Sequence, residues 1–325
     1  MKQKKFTEKT ISDLLLGIAV GDAMGVPFEF LTRDALDQQP VQDITGWAMH
    51  EQPPGTYSDD TALTLCLAES MAEGLDIEAL GKKMCDWFRK GYWSAHGEVF
   101  DIGIGTRIAL QKILSGSPAV MAGGDKDMDN GNGSLMRIAP LALDPRYREP
   151  QTLWNTIEAV SSITHRHVRS HMACFIWVIY LQELLKGEDK RKAYENMRIQ
   201  VNRFFDQDTL PVRERELFDR LLVHDIQQID RSVVNSGGYV LDTLEAAFWC
   251  FLNTQQYDAA ILMGINLGRD TDTTAAVIGA AAGLYYGMEN IPAHWSEALA
   301  RRDDIEALSE KLFHTLSSHS QQTHP

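Results

Sequence analysis

Two series of small residues spaced four apart constrain this chain more than any other feature. Gly17, Gly21 and Gly25 form the first series; Ala275, Gly279, Gly283 and Gly287 form the second. Glycine inside a helix costs about 1 kcal/mol relative to alanine, so a repeat at helical spacing needs a packing reason. Residues four apart share one helix face, and a face without side chains lets another backbone approach closely. The spacing predicts two core helices in close contact. The apolar runs are too short for the membrane form of this pattern. Each helix carries acidic residues at one end, Glu29 after the first and the Asp270 cluster before the second. Close pairing would bring those ends toward a shared centre.

The remaining periodicity is helical as well. Ile77, Leu80, Met84, Trp87 and Phe88 recur at i, i+3, i+7, i+10 and i+11, and Leu241, Leu244, Phe248, Phe251 and Leu252 repeat the spacing. No proline interrupts these segments. The best alternating stretch, 41–45, is a weak strand signal. The pattern implies one compact all-α domain over residues 1–316, followed by a polar, frayed tail over 317–325.

Composition narrows the functional classes. A chain that is 44% hydrophobic and 23% charged reads as a soluble globular protein. A net charge of −14 repels phosphate backbones, which excludes nucleic acid as the main partner. It does not exclude a small anion held by local backbone N–H groups. Cys66, Cys85, Cys174 and Cys250 are scattered, as buried thiols of a reducing compartment are. The apolar run 14–20 is bracketed by Asp13 and Asp22 and is too short for a signal peptide. A cytoplasmic, membrane-free and monomeric protein is expected.

Chemistry concentrates in two clusters, Ser58-Asp59-Asp60-Thr61 and Asp270-Thr271-Asp272-Thr273-Thr274. One helix cap needs one side chain, and each cluster holds more carboxylate and hydroxyl groups than a cap uses. Carboxylates this dense repel one another unless a cation lies between them, and hard oxygen donors suit Mg²⁺ or Mn²⁺ rather than Zn²⁺. Asn130-Gly131-Asn132-Gly133-Ser134 reads either as ordinary turns or as a loop offering N–H groups to a diphosphate. Asp125–Asp129 mimics the start of an EF-hand, but Asn130 and Met136 stand where Gly and Glu are needed, so calcium is rejected. His167 and His171 lack the further ligands zinc requires, whereas His165 is a better pocket candidate. Asp101, with Gly103 and Gly105, opens another helix as either a cap or a ligand contact.

Taken together, these segments resemble the ADP-ribosylglycohydrolase family. The matching elements are Gly21–Phe30, Tyr57–Thr61, Asp101–Gly103, Gly131–Arg137, Thr164-His165 and Asn266–Thr273, in that order along nearly the whole chain. The resemblance implies an all-α orthogonal helical bundle with two divalent cations, usually Mg²⁺, below an ADP-ribose cleft. It implies Ser58, Asp59, Asp60, Asp270, Asp272 and Thr273 as metal ligands. It places Glu29 beside the metals and Asp101 near the scissile ribose, with Glu29, Asp59, Asp60 and Asp101 as candidates for moving the proton. Gly103, Gly131, Asn132, Gly133, Ser134 and His165 would contact the substrate. Ser58 and Arg269 depart from the commoner Thr and Gly of the family. Arg269 could face solvent or a ligand phosphate. Pro27-Phe28-Glu29-Phe30 looks more like the family's bacterial dinitrogenase-reductase-activating branch than its serine-specific one. The expected reaction is release of ADP-ribose from a protein arginine. Alternatives are serine-linked or O-acetyl-ADP-ribose substrates, or a non-catalytic binding or toxin-immunity protein.

Overall fold

The computed structural model describes residues 6–207 and 210–322, and the side chains of 319–322 are not described. It is all-α, with no β-strand among the described residues. Six helices frame the site: α1 (Glu8–Gly25), α2 (Asp59–Ala72), α3 (Ile104–Leu114), α4 (Val168–Leu185), α5 (Val240–Asn253) and α6 (Thr271–Tyr286). Five more long helices, Ile77–Lys90, Pro150–Ser162, Lys190–Gln207, Tyr257–Ile265 and Arg302–Gln322, complete the bundle around one continuous apolar core.

Helices α1 and α6 run antiparallel at the centre, backbone against backbone. A Cβ on Gly17 would lie 2.5 Å from the Gly279 carbonyl oxygen, and one on Gly21 2.3 Å from that of Ala275. At the lower end, a Cβ on Gly25 would lie 2.4 Å from the Cα of Asp272. The Thr271 hydroxyl donates to the Gly25 carbonyl at 2.8 Å and pins the junction. Gly287 leaves the series: with φ +82° it terminates α6, a left-handed position that glycine fills without strain.

Helix α1 is apolar and long enough to cross a bilayer by composition, yet it lies inside the fold, packed by α6, α2 and Arg302–Gln322. Asp13 and Asp22, which interrupt its apolar run, are both buried. Asp13 accepts from the Met288 backbone N–H at 2.9 Å and from Lys9 Nζ at 2.7 Å. The segment 41–45 is not a strand. The Asn266 side chain takes the place of a neighbouring strand, accepting from Val41 N–H and donating to Val41 C=O. The expected frayed tail is helical through Gln322, and residues 323–325 lie outside the described residues.

Candidate active site

The lower junction of α1 and α6 brings both acidic clusters together. Asp22, one turn before the end of α1, accepts from the backbone N–H groups of Ser58 and Thr61 and from the Thr61 hydroxyl at 2.6 Å. A carboxylate at a helix N-terminus satisfies free N–H groups, so Asp22 fixes the start of α2 on α1. Burial pushes Asp22 up to about 6 against the opposing pull of these bonds. Asp59 and Asp60 then occupy the first turn of α2, and Asp272 and Thr273 that of α6.

Carboxylate oxygens of Asp22, Asp60 and Asp272 all lie within 4.8 Å of one another, as do those of Glu29, Asp270 and Asp272. Asp60 accepts from Ser58 Oγ at 3.0 Å and Thr273 Oγ1 at 3.3 Å, but its Oδ1 is buried with no donor. Both carboxylate oxygens of Asp272 are buried and unpaired. Burial, reinforced by the neighbouring acids, raises Asp59, Asp60 and Asp272 well above the usual carboxylate range and raises Asp270 as well. Buried carboxylate oxygens without donors are costly unless a cation meets them. The all-oxygen donor set of Asp60, Asp270 and Asp272 therefore fits hard divalent cations, and Asp272 is shared by both groups. Asp22 is already satisfied by four hydrogen bonds and serves as the clamp behind Asp60.

Above this floor is a cleft of about 570 Å³. Glu29, Asp59, Asp101, Asp270 and Thr273 form its acidic side. Gly103, Gly105, Gly131, Asn132, Gly133 and His165 also line it. Asn132 Nδ2 donates to Asp270 Oδ2 and Thr243 Oγ1, both at 2.9 Å, and ties the glycine loop to the acidic floor. The imidazole of His165 lies beneath the loop, so a Cβ on Gly133 would meet its Cε1 at 2.8 Å and one on Gly131 its Nε2 at 3.2 Å. Burial lowers His165 to about 3, aided by the Arg137 guanidinium, and holds the ring neutral. Arg137, fully buried, donates to the carbonyls of Gly133 and Val160 and fixes the loop from behind.

One expected role changes, and one open alternative is decided. Ser134 does not line the cleft, because its hydroxyl is buried against Cys174 Sγ. Arg269 is exposed at φ +68° and does not line it either. Its backbone joins the two halves instead: Phe30 N–H donates to Arg269 C=O at 2.6 Å, and Arg269 N–H to Leu31 C=O at 2.7 Å. His167 caps α4, and His171 packs on Trp154. His167, Asp127 and Glu214 converge, but Arg169 supplies the cation there, bonding Glu214 at 2.8 Å. Sequence reasoning missed Asp22 and also His50, whose Nε2 meets Glu29 Oε2. Burial raises Glu29 to about 7, and the hydrogen bond to Glu29 raises His50.

The glycine wall supports a binding prediction. Free ADP-ribose at a hundredfold excess over its dissociation constant should stabilise the protein by about 2.7 kcal/mol through mass action. Gly133→Val drives a side chain into His165 and should remove that thermal shift. Equal shifts in both proteins would show that the loop does not hold the ligand.

The sequence model described as ADP-ribosylglycohydrolase matches residues 4–322. The chain is 36% identical over 302 residues to the ADP-ribosylarginine hydrolase Tri1 of Serratia proteamaculans, covering 92% of this chain and 78% of that protein. It is 26% identical over 295 residues to the ADP-ribosyl-(dinitrogen reductase) glycohydrolase of Rhodospirillum rubrum, covering 90% of each. A solved structure described as an ADP-ribosylglycohydrolase-related protein complex superposes with a TM-score of 0.77 at 30% identity, over 97% of this chain and 100% of that one. With the acidic floor and glycine-walled cleft in place, these matches establish that the chain belongs to the ADP-ribosylglycohydrolase family of hydrolases.

Proposed function

We propose that this hydrolase cleaves the N-glycosidic bond between ADP-ribose and an arginine side chain of a modified protein, with Mg²⁺ in its acidic floor. The observation that carries the reading is the pair Asp60 and Asp272, with Asp60 Oδ1 and both Asp272 oxygens buried without donors at the base of a cleft walled by glycines. The two relatives named as ADP-ribosylarginine hydrolases, at 36% and 34% identity, support arginine as the linkage.

The loop from Gly131 to Gly133 offers its backbone to the diphosphate, and the neutral His165 beneath it brings no competing charge. Asp60, Asp270 and Asp272 would hold divalent cations, which would supply the positive charge to orient ribose hydroxyls and make a nearby water more acidic. Glu29 lines the cleft beside the acidic floor, within reach of a water there, and is placed to act as general base. In the substrate, whose linked guanidinium is protonated, the C1″–N bond breaks with its electron pair remaining on nitrogen to give a neutral guanidine, and water adds at C1″. The proton lost by that water passes to Glu29 and then to the departing guanidine, which leaves as a cation. Asp101, facing the cleft, holds that cation by a charge-assisted contact.

Hydrolysis of ADP-ribosyl-arginine is expected to exceed that of serine-linked or O-acetyl-ADP-ribose by about tenfold or more, ~1.4 kcal/mol in the barrier. Asp101→Ala should slow the arginine reaction by about 10²-fold. Side-by-side kinetics decide the matter: a preference for serine or O-acetyl substrate would overturn the linkage and leave the floor and cleft standing.

A further inference from the structure

We infer that His50 is a positioning residue for this hydrolase, hydrogen-bonded to Glu29 beside Asp101 and holding Glu29 in its working orientation. The inference rests on the hydrolase reading and adds to it a residue from a segment with no motif. His50 lies in the loop between the short helix Arg33–Gln38 and α2, and no periodicity or acidic cluster marks it. Its Nε2 is hydrogen-bonded to Glu29 Oε2. Donor atoms of Glu29, His50 and Asp101 all lie within 4.8 Å of one another. Glu29 follows α1 and Asp101 precedes α3, so the imidazole lies where these two cleft-lining chain segments meet.

The ring is itself held. Its centroid is 5.3 Å from that of Phe100, next to Asp101, and 6.0 Å from that of Phe30, next to Glu29. The adjacent Met49 N–H donates to the Pro27 carbonyl, tying the loop to the turn that carries Glu29. Phe30 and Asp101 are both left-handed, at φ +65° and +46°, conformations that surrounding contacts must maintain in residues with side chains. A carboxylate on a turn, beside other acids that repel it, needs such a donor to keep one rotamer. An imidazole N–H between two aromatic rings supplies the donor without adding flexibility.

Two substitutions separate the hydrogen bond from the packing. His50→Phe keeps the ring between Phe30 and Phe100 and removes the donor. His50→Gln keeps an N–H donor at nearly the same reach and removes the ring. Both are assayed with Mg²⁺ on the ADP-ribose linkage that the wild type cleaves fastest, so failure of the arginine assignment would appear in the wild type and remain separate. His50→Phe should lower kcat about 10–100-fold with KM within about twofold, and His50→Gln should recover kcat to within about threefold of wild type. If His50→Phe does not fold, His50→Leu is read in its place. A wild-type kcat in His50→Phe, or an equal loss in His50→Gln, would overturn the assignment.

Discussion

Asp60→Asn and Asp272→Asn are each expected to lower turnover about 10²–10³-fold while raising the melting temperature of the protein held in EDTA. The rate loss reflects removal of a cation ligand, since cation charge is worth several kcal/mol in the transition state. The gain in stability follows from burial. Asp272 has two buried oxygens without donors and Asp60 has one, each beside other carboxylates. An asparagine amide removes one repelling charge and can donate to the neighbouring acid. The sign of the pH dependence is fixed by the same shifts. The folded values are raised, so the native state binds more protons than the unfolded chain, and stability falls as pH rises. For the cation-free protein the loss begins above the ordinary carboxylate range, about 4, and continues through about 6 for Asp22 and about 7 for Glu29. Thermal scans in EDTA across that window should slope downward in the wild type and less steeply in both variants. Mg²⁺ should restore wild-type stability at the upper end. Full activity in EDTA-treated protein would exclude a cation-dependent floor.

The second large effect concerns the helix pair. Gly279→Val is expected to cost more than about 3 kcal/mol and to leave little folded protein at ambient temperature. A Cβ at this position would lie 2.2 Å from the Gly17 carbonyl oxygen, a backbone atom that cannot rotate away. That same carbonyl accepts the Tyr257 hydroxyl at 2.6 Å, so displacing it also breaks a buried hydrogen bond. Overpacking of a close-packed core ordinarily costs about 1–3 kcal/mol, and a clash between two helix backbones lies at or beyond the upper end. Gly103→Ala is the control: its new Cβ meets nothing closer than 3.9 Å, and the change should stay within about 0.5 kcal/mol. Chemical denaturation of the two variants tests the contrast. Similar midpoints would mean that α1 and α6 can separate without penalty.

Those glycines were legible because the requirement is periodic. Close approach needs the same small residue at every turn of the face, and that writes itself into spacing. The acidic floor was legible for a different reason, since adjacent carboxylates are too many for caps. Isolated residues left no such trace. Asp22 stands alone in an apolar run, where a single acid reads as an interruption. Its partners, the N–H groups of Ser58 and Thr61, are backbone atoms with no sequence signature. His50 meets Glu29 through a loop whose course depends on tertiary contacts. Ser134 sits in a motif that reads as one unit, yet chain direction turns its hydroxyl toward Cys174 while its neighbours face the cleft. Gly287 fits the period by number, but the helix ends there.

The antiparallel pairing of α1 with α6 also sets when the protein can first become whole. About 210 residues separate Asp60 from Asp272. At synthesis rates of about 5–20 residues per second, roughly 10–40 s pass between the appearance of the two acids. Throughout that interval the glycine face of α1 has no partner, because the helix that covers it follows Asp270. An apolar helix left bare so long is the kind of surface that chaperones bind and that aggregation exploits. A chain halted before Thr271 would therefore be more than inactive: it would lack the helix that covers the glycine face of α1 and leave that apolar helix exposed to aggregation.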